Sequence, residues 1–422
     1  MDPMRHPEAL LGPYRVLDLT DEQGLLAGKL LGDLGADVIK VEPPGGDPAR
    51  RLGPFYHDQP HPERSLPWLA FNLNKRSITL NLACVDGQAL FRRLVQSADF
   101  VLESFAPGYL EGLGLGYERL RALNPRLIVA AISPFGQSGP YRDYRATDLV
   151  ATALGGFMYV TGDADRAPVR ISFPVSYCHA GAEAAAACVM AHYYRERTGQ
   201  GQFIDVSIQE CVVWTLMNTT VTWDLLRSEV MRGAGVRVNP QTGVRTQQIW
   251  PCKDGYVSFI LRGGLAGAHS TRSLVAWMDE EGRASPWLAA IQWMEVDVPH
   301  ITQELYDALA AEIGAFFQTK GMSELYERAV RDRILLAPIL TAKEVLESPQ
   351  LRAREYFVEV EHPELGAGVR LVYPDGFVKL SAWAPRRWRR APLIGEHNEE
   401  VYCGELGLAR DDLPALAQAG VI

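Results

Sequence analysis

The sequence predicts an α/β protein with a parallel sheet in a large domain and a smaller domain inserted into the chain. Three observations support this: a strand–helix–strand unit near the start, continued alternation of strand-like and helical segments as far as Ile132, and a helical block with several tryptophans over residues 270–330. Alternating strands and helices are typical of a parallel sheet covered by helices. The helical block lacks this alternation and is rich in tryptophan, which indicates a second domain.

The first strand–helix–strand unit spans residues 14–42. It has a short β-like run at Tyr14–Leu19, helical spacing at Gln23–Leu34, and a second strand at Asp37–Glu42. Two prolines and two glycines stop the second strand. A unit of this kind, about thirty residues long, opens a doubly wound parallel sheet.

The alternation continues along the chain. The predicted strands and helices are Ser77–Leu82, Gly87–Ser97 (helix), Asp99–Glu103, Tyr117–Leu123 (helix), Leu127–Ile132, Cys178–Arg197 (helix) and Phe203–Ile208. The alanine-rich helix has Ser176 as its predicted N-cap and ends at Gly199. Because alanine side chains are small, another backbone can approach this helix closely. Its first turn places Tyr177 near the mouth of the sheet, where α/β proteins bind ligands.

The pattern weakens over residues 226–246, where glycines predict a linker or loop. A hairpin is predicted at Trp250–Ile260, and strand-like runs return after Ile334. We therefore expect the N-terminal part of the large domain at residues 10–225, the small domain with its linkers at 226–333, and a C-terminal part at 334–422 that returns to the large domain.

Composition narrows the class of protein. The net charge is −9, which argues against a nucleic-acid surface. The six cysteines include no CxxC pair, and we find neither a signal peptide nor an apolar stretch of about 18 residues. We expect a cytoplasmic protein without a membrane or nucleic-acid partner.

Two polar segments lie beside predicted strands. Asn74, Lys75 and Arg76 precede a strand, and two cations beside an amide could hold a phosphate-bearing ligand, with a solvated turn as the alternative. Ser104 and Phe105 follow a strand end, where parallel sheets build their sites.

The alanine-rich helix offers few groups for chemistry. Cys178 and His179 are neighbours whose side chains point about 100° apart, so a buried structural cysteine is favoured over a thiolate nucleophile. Asp148 and Glu183 are nearby carboxylates that could act in acid–base chemistry, although caps and surface charges are commoner. These residues alone leave the reaction open.

Several stretches together resemble one family, in the family's order and over nearly the whole chain. They are Tyr14–Arg50, Phe71–Leu80, Val101–Leu120, Ser133–Tyr141, Thr147–Gly162, Arg195–Ile208 and Ala391–His397. They resemble the family III CoA-transferases, the group of formyl-CoA transferase, carnitine CoA-transferase and the α-methylacyl-CoA racemases.

The resemblance implies a Rossmann-like large domain, a small inserted domain and two chains interlocked like links. It also implies CoA or acyl-CoA as a substrate, with no tightly bound cofactor. The residues implied in CoA binding are Asn74, Lys75, Arg76, Ser104, Phe105 and Arg145.

The family's mechanism needs an aspartate that carries first the acyl group and then CoA, which splits one hard step into several. In the family this aspartate lies three residues after a proline and four before a glycine. Pro174 and Gly181 keep that frame here, and Tyr177 stands at the aspartate position. A phenol with a pKa of about 10 cannot replace a carboxylate in this role.

Other positions also depart from the family. Thr147 stands where the racemases have a histidine, so the resemblance does not extend to racemase chemistry. Ser104 replaces the common asparagine, Gly112 replaces a basic residue, and Gln23 begins the segment that is Ala-Gly-Pro in the family.

Three functions follow as hypotheses. The first is a non-catalytic subunit whose homologous sister chain, in a heterodimer or heterotetramer, carries the aspartate. Benzylsuccinate CoA-transferase of anaerobic aromatic degradation, with two related but unequal subunits, resembles this arrangement. The second is a homodimeric CoA-transferase that uses another nucleophile, such as Glu183 or Cys178. The third is a non-catalytic CoA-binding or scaffold protein.

Overall fold

The computed structural model describes residues 9–239, 242–381 and 388–422, which divide into two units. The large unit holds residues 9–155, Ser172–Thr215 and the described residues from Gln350 to the C-terminus. The small unit holds Gly156–Ile171 and the described part of Leu216–Pro349. Each unit is therefore assembled from separate parts of the chain.

Six parallel strands form the sheet of the large unit, in the order β3-β2-β1-β4-β5-β6. They are β1 (Arg15–Leu19), β2 (Asp37–Glu42), β3 (Lys75–Thr79), β4 (Phe100–Glu103), β5 (Ile128–Ser133) and β6 (Phe203–Ser207). This is the strand order of a Rossmann-type doubly wound sheet. The predicted α/β class with a parallel core is thus confirmed.

The helices of the first half of the chain follow the predicted alternation. They are α1 (Leu25–Asp33), α2 (Leu66–Phe71), α3 (Val85–Val95), α4 (Tyr109–Gly112), α5 (Tyr117–Leu123), α6 (Asp148–Leu154), α7 (Val175–Thr198) and α8 (Ile208–Trp214). Helix α7 ends at Gly199 in the left-handed region, with φ of 75°, as predicted.

Helices cover both faces of the parallel sheet. One face, with Val16 and Phe100, packs against the alanines of α7 and against α1. The other face, with Leu17 and Val101, packs against α3. Burial on both sides explains why these strands are continuous apolar runs rather than alternating ones.

Two of the wrongly predicted boundaries have the same cause. Strand β3 begins at Lys75 rather than Ser77, because remote carboxylates neutralise the two buried cations at its start. Helix α7 begins at Val175 with Pro174 as its N-cap residue, so Ser176 lies inside the first turn. The hydroxyl of Ser176 donates instead to Asp148, at 2.7 Å.

The C-terminal part of the chain covers the edge of the sheet at β3. The backbone N–H of His397 donates to the carbonyl of Ser77 at 2.9 Å, and the backbone N–H of Thr79 donates to the side chain of Asn398 at 2.9 Å. The Tyr402 hydroxyl donates to the carbonyl of Thr79 at 2.7 Å. These bonds satisfy backbone groups that an open edge would leave unpaired.

The rest of the chain combines short strands and longer helices. The strands are β7 (Val236–Val238), β8 (Arg245–Gln247), β9 (Ile249–Pro251), β10 (Tyr256–Phe259), β11 (Leu336–Pro338), β12 (Phe357–Glu361) and β13 (Arg370–Pro374). The helices are α9 (Met217–Leu226), α10 (Gly264–Glu280), α11 (Pro286–Ala289), α12 (Gln303–Phe317), α13 (Met322–Asp332), α14 (Ala342–Glu347), α15 (Pro349–Ala353) and α16 (Asp412–Gln418), with a π-helix at Glu399–Glu405.

The small unit has its own core. Strands β9 and β10 form the predicted hairpin, with Trp250 opposite Val257, and β11 completes an antiparallel sheet. Trp250, Trp277 and Phe316 are buried among the helices beside it. The predicted linker at 226–246 contains instead the antiparallel pair β7 and β8.

Candidate functional site

The sheet reverses its strand order between β1 and β4, where α/β proteins bind ligands beyond the carboxyl ends of the strands. Asp21 follows β1, and Ser104 follows β4. The Ser104 hydroxyl donates to the Asp21 carboxylate at 2.8 Å and accepts from the Asp21 backbone N–H at 2.8 Å. These two bonds hold the segment after β1 against the end of β4.

A buried ionic network holds both ends of the segment Thr20–Leu25, which we call the switch loop. The ammonium group of Lys75 lies 2.8 Å from the Asp18 carboxylate and donates to the carbonyl of Leu25 at 2.9 Å. Lys40 binds the carboxylate of Asp47 at 2.9 Å and the carbonyl of Thr20. Burial alone would raise the pKa of Asp18, but the charges of Lys75 and Lys40 outweigh it and lower that pKa.

Tyr177 lies in the first turn of α7, with 8% of its surface exposed. Burial raises its pKa and the carboxylate of Glu22 raises it further, while a hydrogen bond from the backbone N–H of Asp148 partly offsets them. Asp148 also fixes this turn, because it accepts hydrogen bonds from the Ser176 backbone N–H at 3.1 Å and the Ser176 hydroxyl at 2.7 Å. Tyr177 is therefore a neutral phenol at neutral pH, in surroundings that oppose negative charge.

Gly181 brings α7 close to α1. A Cβ atom at Gly181 would lie 2.8 Å from the Cβ of Leu26 and 3.1 Å from the backbone nitrogen of Ala27. Real Cβ atoms do not approach other heavy atoms this closely, so the glycine permits the contact. The predicted close approach to the alanine-rich helix is confirmed, and it sets Tyr177 beside the switch loop.

Lys75 and Arg76 have carboxylate partners inside the protein. Lys75 pairs with Asp18, and Arg76 lies 2.6 Å from Asp37 and 2.6 Å from Glu405. Asp37 is at the amino end of β2, so Arg76 points to the sheet edge opposite Ser104. The structure therefore separates Arg76 from Ser104 and Phe105, which follow the carboxyl end of β4.

The remaining predicted residues differ in exposure. The backbone of Asn74 is in the left-handed region, with φ of 63°. Its side-chain amide donates to the Asp33 carboxylate at 3.0 Å and accepts from the backbone N–H of Arg389 at 3.0 Å. Phe105 is half-buried against Tyr109, with ring centroids 4.7 Å apart. Arg145 is exposed and forms no ion pair within residues 9–239, 242–381 and 388–422. Their assignment to CoA stays a prediction.

Comparison with known proteins establishes the family. The model of CoA-transferase family III matches residues 11–398. The chain belongs to CoA-transferase family III. The prediction from the sequence motifs is confirmed, and with it the CoA-transferase class of the enzyme.

Curated relatives match along their whole length. Subunit BbsE of succinyl-CoA:(R)-benzylsuccinate CoA-transferase from Thauera aromatica is 35% identical over 404 residues, which are 95% of this chain and 96% of the relative. Succinyl-CoA–D-citramalate CoA-transferase from Chloroflexus aurantiacus is 37% identical over 420 residues, 99% of each chain.

A solved structure shows the same fold. A CAIB/BAIF family protein from Brucella suis superimposes with a TM-score of 0.79 at 28% identity and covers 93% of this chain and 98% of its own. Among the described helices, none is long and apolar enough to cross a membrane.

The two alternative nucleophiles differ in their chemical state. Burial, followed by the charge of Asp148, raises the pKa of the Cys178 thiol to about 11, so almost no thiolate forms at neutral pH and the thiol is not activated for attack. Glu183 accepts a hydrogen bond from the thiol of Cys211.

Sequence reasoning missed Glu22 and placed Glu103 only at the strand end that precedes Ser104 and Phe105. Glu22 in the switch loop raises the pKa of Tyr177, and partial desolvation together with Asp21 and Asp47 raises the pKa of Glu22 itself. Burial raises the pKa of Glu103, the last residue of β4, to about 8. Both residues lie at the carboxyl ends of the strands that border the switch point, and that position was the signal available in the sequence.

Proposed function

We propose that this chain is the non-catalytic subunit of a heteromeric CoA-transferase. A homologous sister chain supplies the aspartate that attacks the thioester. The enzyme moves CoA between a succinyl thioester and a dicarboxylic acid, with benzylsuccinate as the preferred candidate, and it needs no tightly bound cofactor. The relatives that act on succinyl-CoA support this substrate class.

One observation carries the proposal: a buried, neutral phenol stands where the family's nucleophile belongs. The helix frame around Tyr177 is kept, and burial together with the charge of Glu22 would also disfavour a carboxylate at this position. The fold is thus retained without the group that carries CoA. This combination favours a partner role over an independent transferase.

The proposed CoA contacts follow from charge and exposure. Arg145 provides an exposed cation for the phosphate groups, and Ser104 and Phe105 lie at the switch point. We propose that Asn74, Lys75 and Arg76 support the CoA site indirectly by holding the surrounding segments, because their polar groups are already bonded to other residues of the chain. We propose a cytoplasmic location, consistent with six free cysteines.

Chemical trapping tests the division of labour between the chains. The assembled enzyme is incubated with succinyl-CoA and then treated with borohydride, which reduces an enzyme-bound acyl thioester to an alcohol and marks its residue. We expect the modified peptide to come from the sister chain. A reduced residue at Glu183, or a succinyl thioester found on Cys178 by mass spectrometry before borohydride is added, would instead make this chain catalytic and overturn the proposal.

A further inference from the structure

The small unit contains a cavity of about 470 Å³. Arg237 of β7 and Thr246 of β8 contribute to one side, and Ile260 and Arg262, which follow β10, contribute to another. Val298 also lines it. A volume of this size suits a small organic molecule.

Two arginines give the cavity its charge. Arg237 and Arg262 are both exposed, and neither forms an ion pair within the part of the chain that the structure describes. Asp297 is the single carboxylate among the lining residues, and it binds the ring of His300 at 2.8 Å. In a chain of net charge −9, two unpaired guanidinium groups in one cavity point to an anionic ligand.

Both arginines sit on firmly held backbone. Arg237 pairs with Thr246 across the antiparallel ladder, and the Thr246 hydroxyl donates to the carbonyl of Arg237 at 3.2 Å. The Thr271 hydroxyl accepts from the Arg262 backbone N–H at 3.1 Å and donates to its carbonyl at 2.7 Å. A Cβ at Gly267 would lie 2.3 Å from the Cβ of Arg262, so this glycine makes room for the arginine stem.

The other walls of the cavity are partly apolar. Leu261 and Val298 are buried, and Ile260 is half-buried beside them. An apolar wall opposite guanidinium groups matches an organic acid, which has a hydrocarbon body and a charged end. An inorganic anion would leave the apolar wall unused.

We propose that this cavity binds a dicarboxylic acid through the carboxylate that does not react, with Arg237 and Arg262 as its ligands. The inference rests on the proposed function, because CoA transfer uses one carboxyl group of such an acid and leaves the other as an anion. Guanidinium groups bind carboxylates through two parallel hydrogen bonds. The two arginines would then determine which acids the enzyme accepts.

Calorimetric titration of the full chain alone provides the test, with succinate and its uncharged diamide, succinamide, as probes of the same carbon skeleton. We expect succinate to bind at least about tenfold more tightly than succinamide, since an amide cannot form the charge-assisted pair of hydrogen bonds that a carboxylate forms with guanidinium groups. Arg237→Gln and Arg262→Gln should each weaken succinate binding about tenfold or more. Arg245→Gln, an exposed arginine of β8 outside the cavity lining, is the matched control and should bind succinate as the parent does.

Equal binding of succinate and succinamide, no binding of succinate to the parent chain, or undiminished binding by the double variant would each overturn the proposal. Circular dichroism of every variant establishes that folding is intact. The titration needs neither CoA nor a sister chain, so a negative result leaves the proposed transferase role standing. Conversely, if the chain binds succinate but the assembled enzyme transfers no CoA, the proposed transferase function is wrong and the proposed acid-binding cavity stands.

Discussion

Tyr177 sits where burial and the carboxylate of Glu22 oppose negative charge, and where the backbone N–H of Asp148 offsets only part of that effect. We predict that Tyr177→Asp is less stable than the equally small Tyr177→Asn by about 1–3 kcal/mol at pH 8. The pKa of the introduced carboxyl would be raised in the folded chain, so folding takes up a proton and the difference shrinks as the pH falls towards 5. Urea unfolding of both variants measures it, and a difference that grows on acidification would refute this view of the site.

Glu103 gives a second pH-dependent prediction. An unfolded glutamate titrates at about 4.3, whereas burial raises the pKa of Glu103 to about 8. The folded chain therefore holds an extra proton between these values, and its stability falls as the pH rises through this window, by about 1 kcal/mol per pH unit.

Glu103→Gln should remove that contribution. The amide oxygen can still accept the Phe105 backbone N–H, which lies 2.7 Å from the Glu103 carboxylate. Relative to the parent, the variant should gain stability at pH 8 and little at pH 5. Glu118→Gln, at an exposed position, serves as the control. If the free energy of unfolding changed with pH in the same way for the parent and Glu103→Gln, Glu103 would ionise as an ordinary glutamate does, and the prediction would be wrong.

At the scale of elements, two helical glycines should respond to alanine with opposite signs. Gly181→Ala should destabilise the chain by about 1–3 kcal/mol, because its Cβ would lie 2.8 Å from the Cβ of Leu26 in α1. Gly314→Ala in α12 meets Trp250 at an ordinary 3.6 Å, so helix propensity should dominate and stabilise by about 0.5–1 kcal/mol. Thermal unfolding of both variants checks this; equal signs would contradict it.

The ionic network beneath the switch loop gives a further prediction. Lys75 and Asp18 are fully buried, so Lys75→Ala leaves the Asp18 carboxylate with only the more distant ammonium group of Lys40, 4.0 Å away, and should cost about 3–5 kcal/mol. The exposed pair of Arg126 and Glu196 is the comparison, and Arg126→Ala should change stability by less than about 1 kcal/mol. If Lys75→Ala unfolded at the same urea concentration as the parent, Lys75 would not hold the loop.

The sequence predicts elements well where the signal is local. The unit from Tyr14 to Glu42 was predicted nearly residue by residue, because apolar runs and glycine stops lie within it. The role of Lys75 was not, because its partner Asp18 lies 57 residues away. The same holds for Ser176 and Asp148, 28 residues apart. Side chains that act through remote partners become visible only when the strands are assembled.

At the scale of the whole molecule, α9 has the character of an interface. None of its residues is buried, and Trp223 and Leu225 are 50% and 74% exposed. Large exposed apolar residues on one short helix mark a surface that another chain covers. Such a surface suits an assembly of two chains, whether the partner is a sister chain or a second copy of this one.

The most direct test of the account is CoA transfer from succinyl-CoA to a dicarboxylic acid, measured with the purified chain alone and after co-expression with a family III sister chain that carries the aspartate. We predict no transfer by the lone chain, a stable complex of the two chains, and full activity of that complex. Substantial turnover by the lone chain, abolished by substituting a residue of this chain such as Cys178 or Glu183, would contradict it.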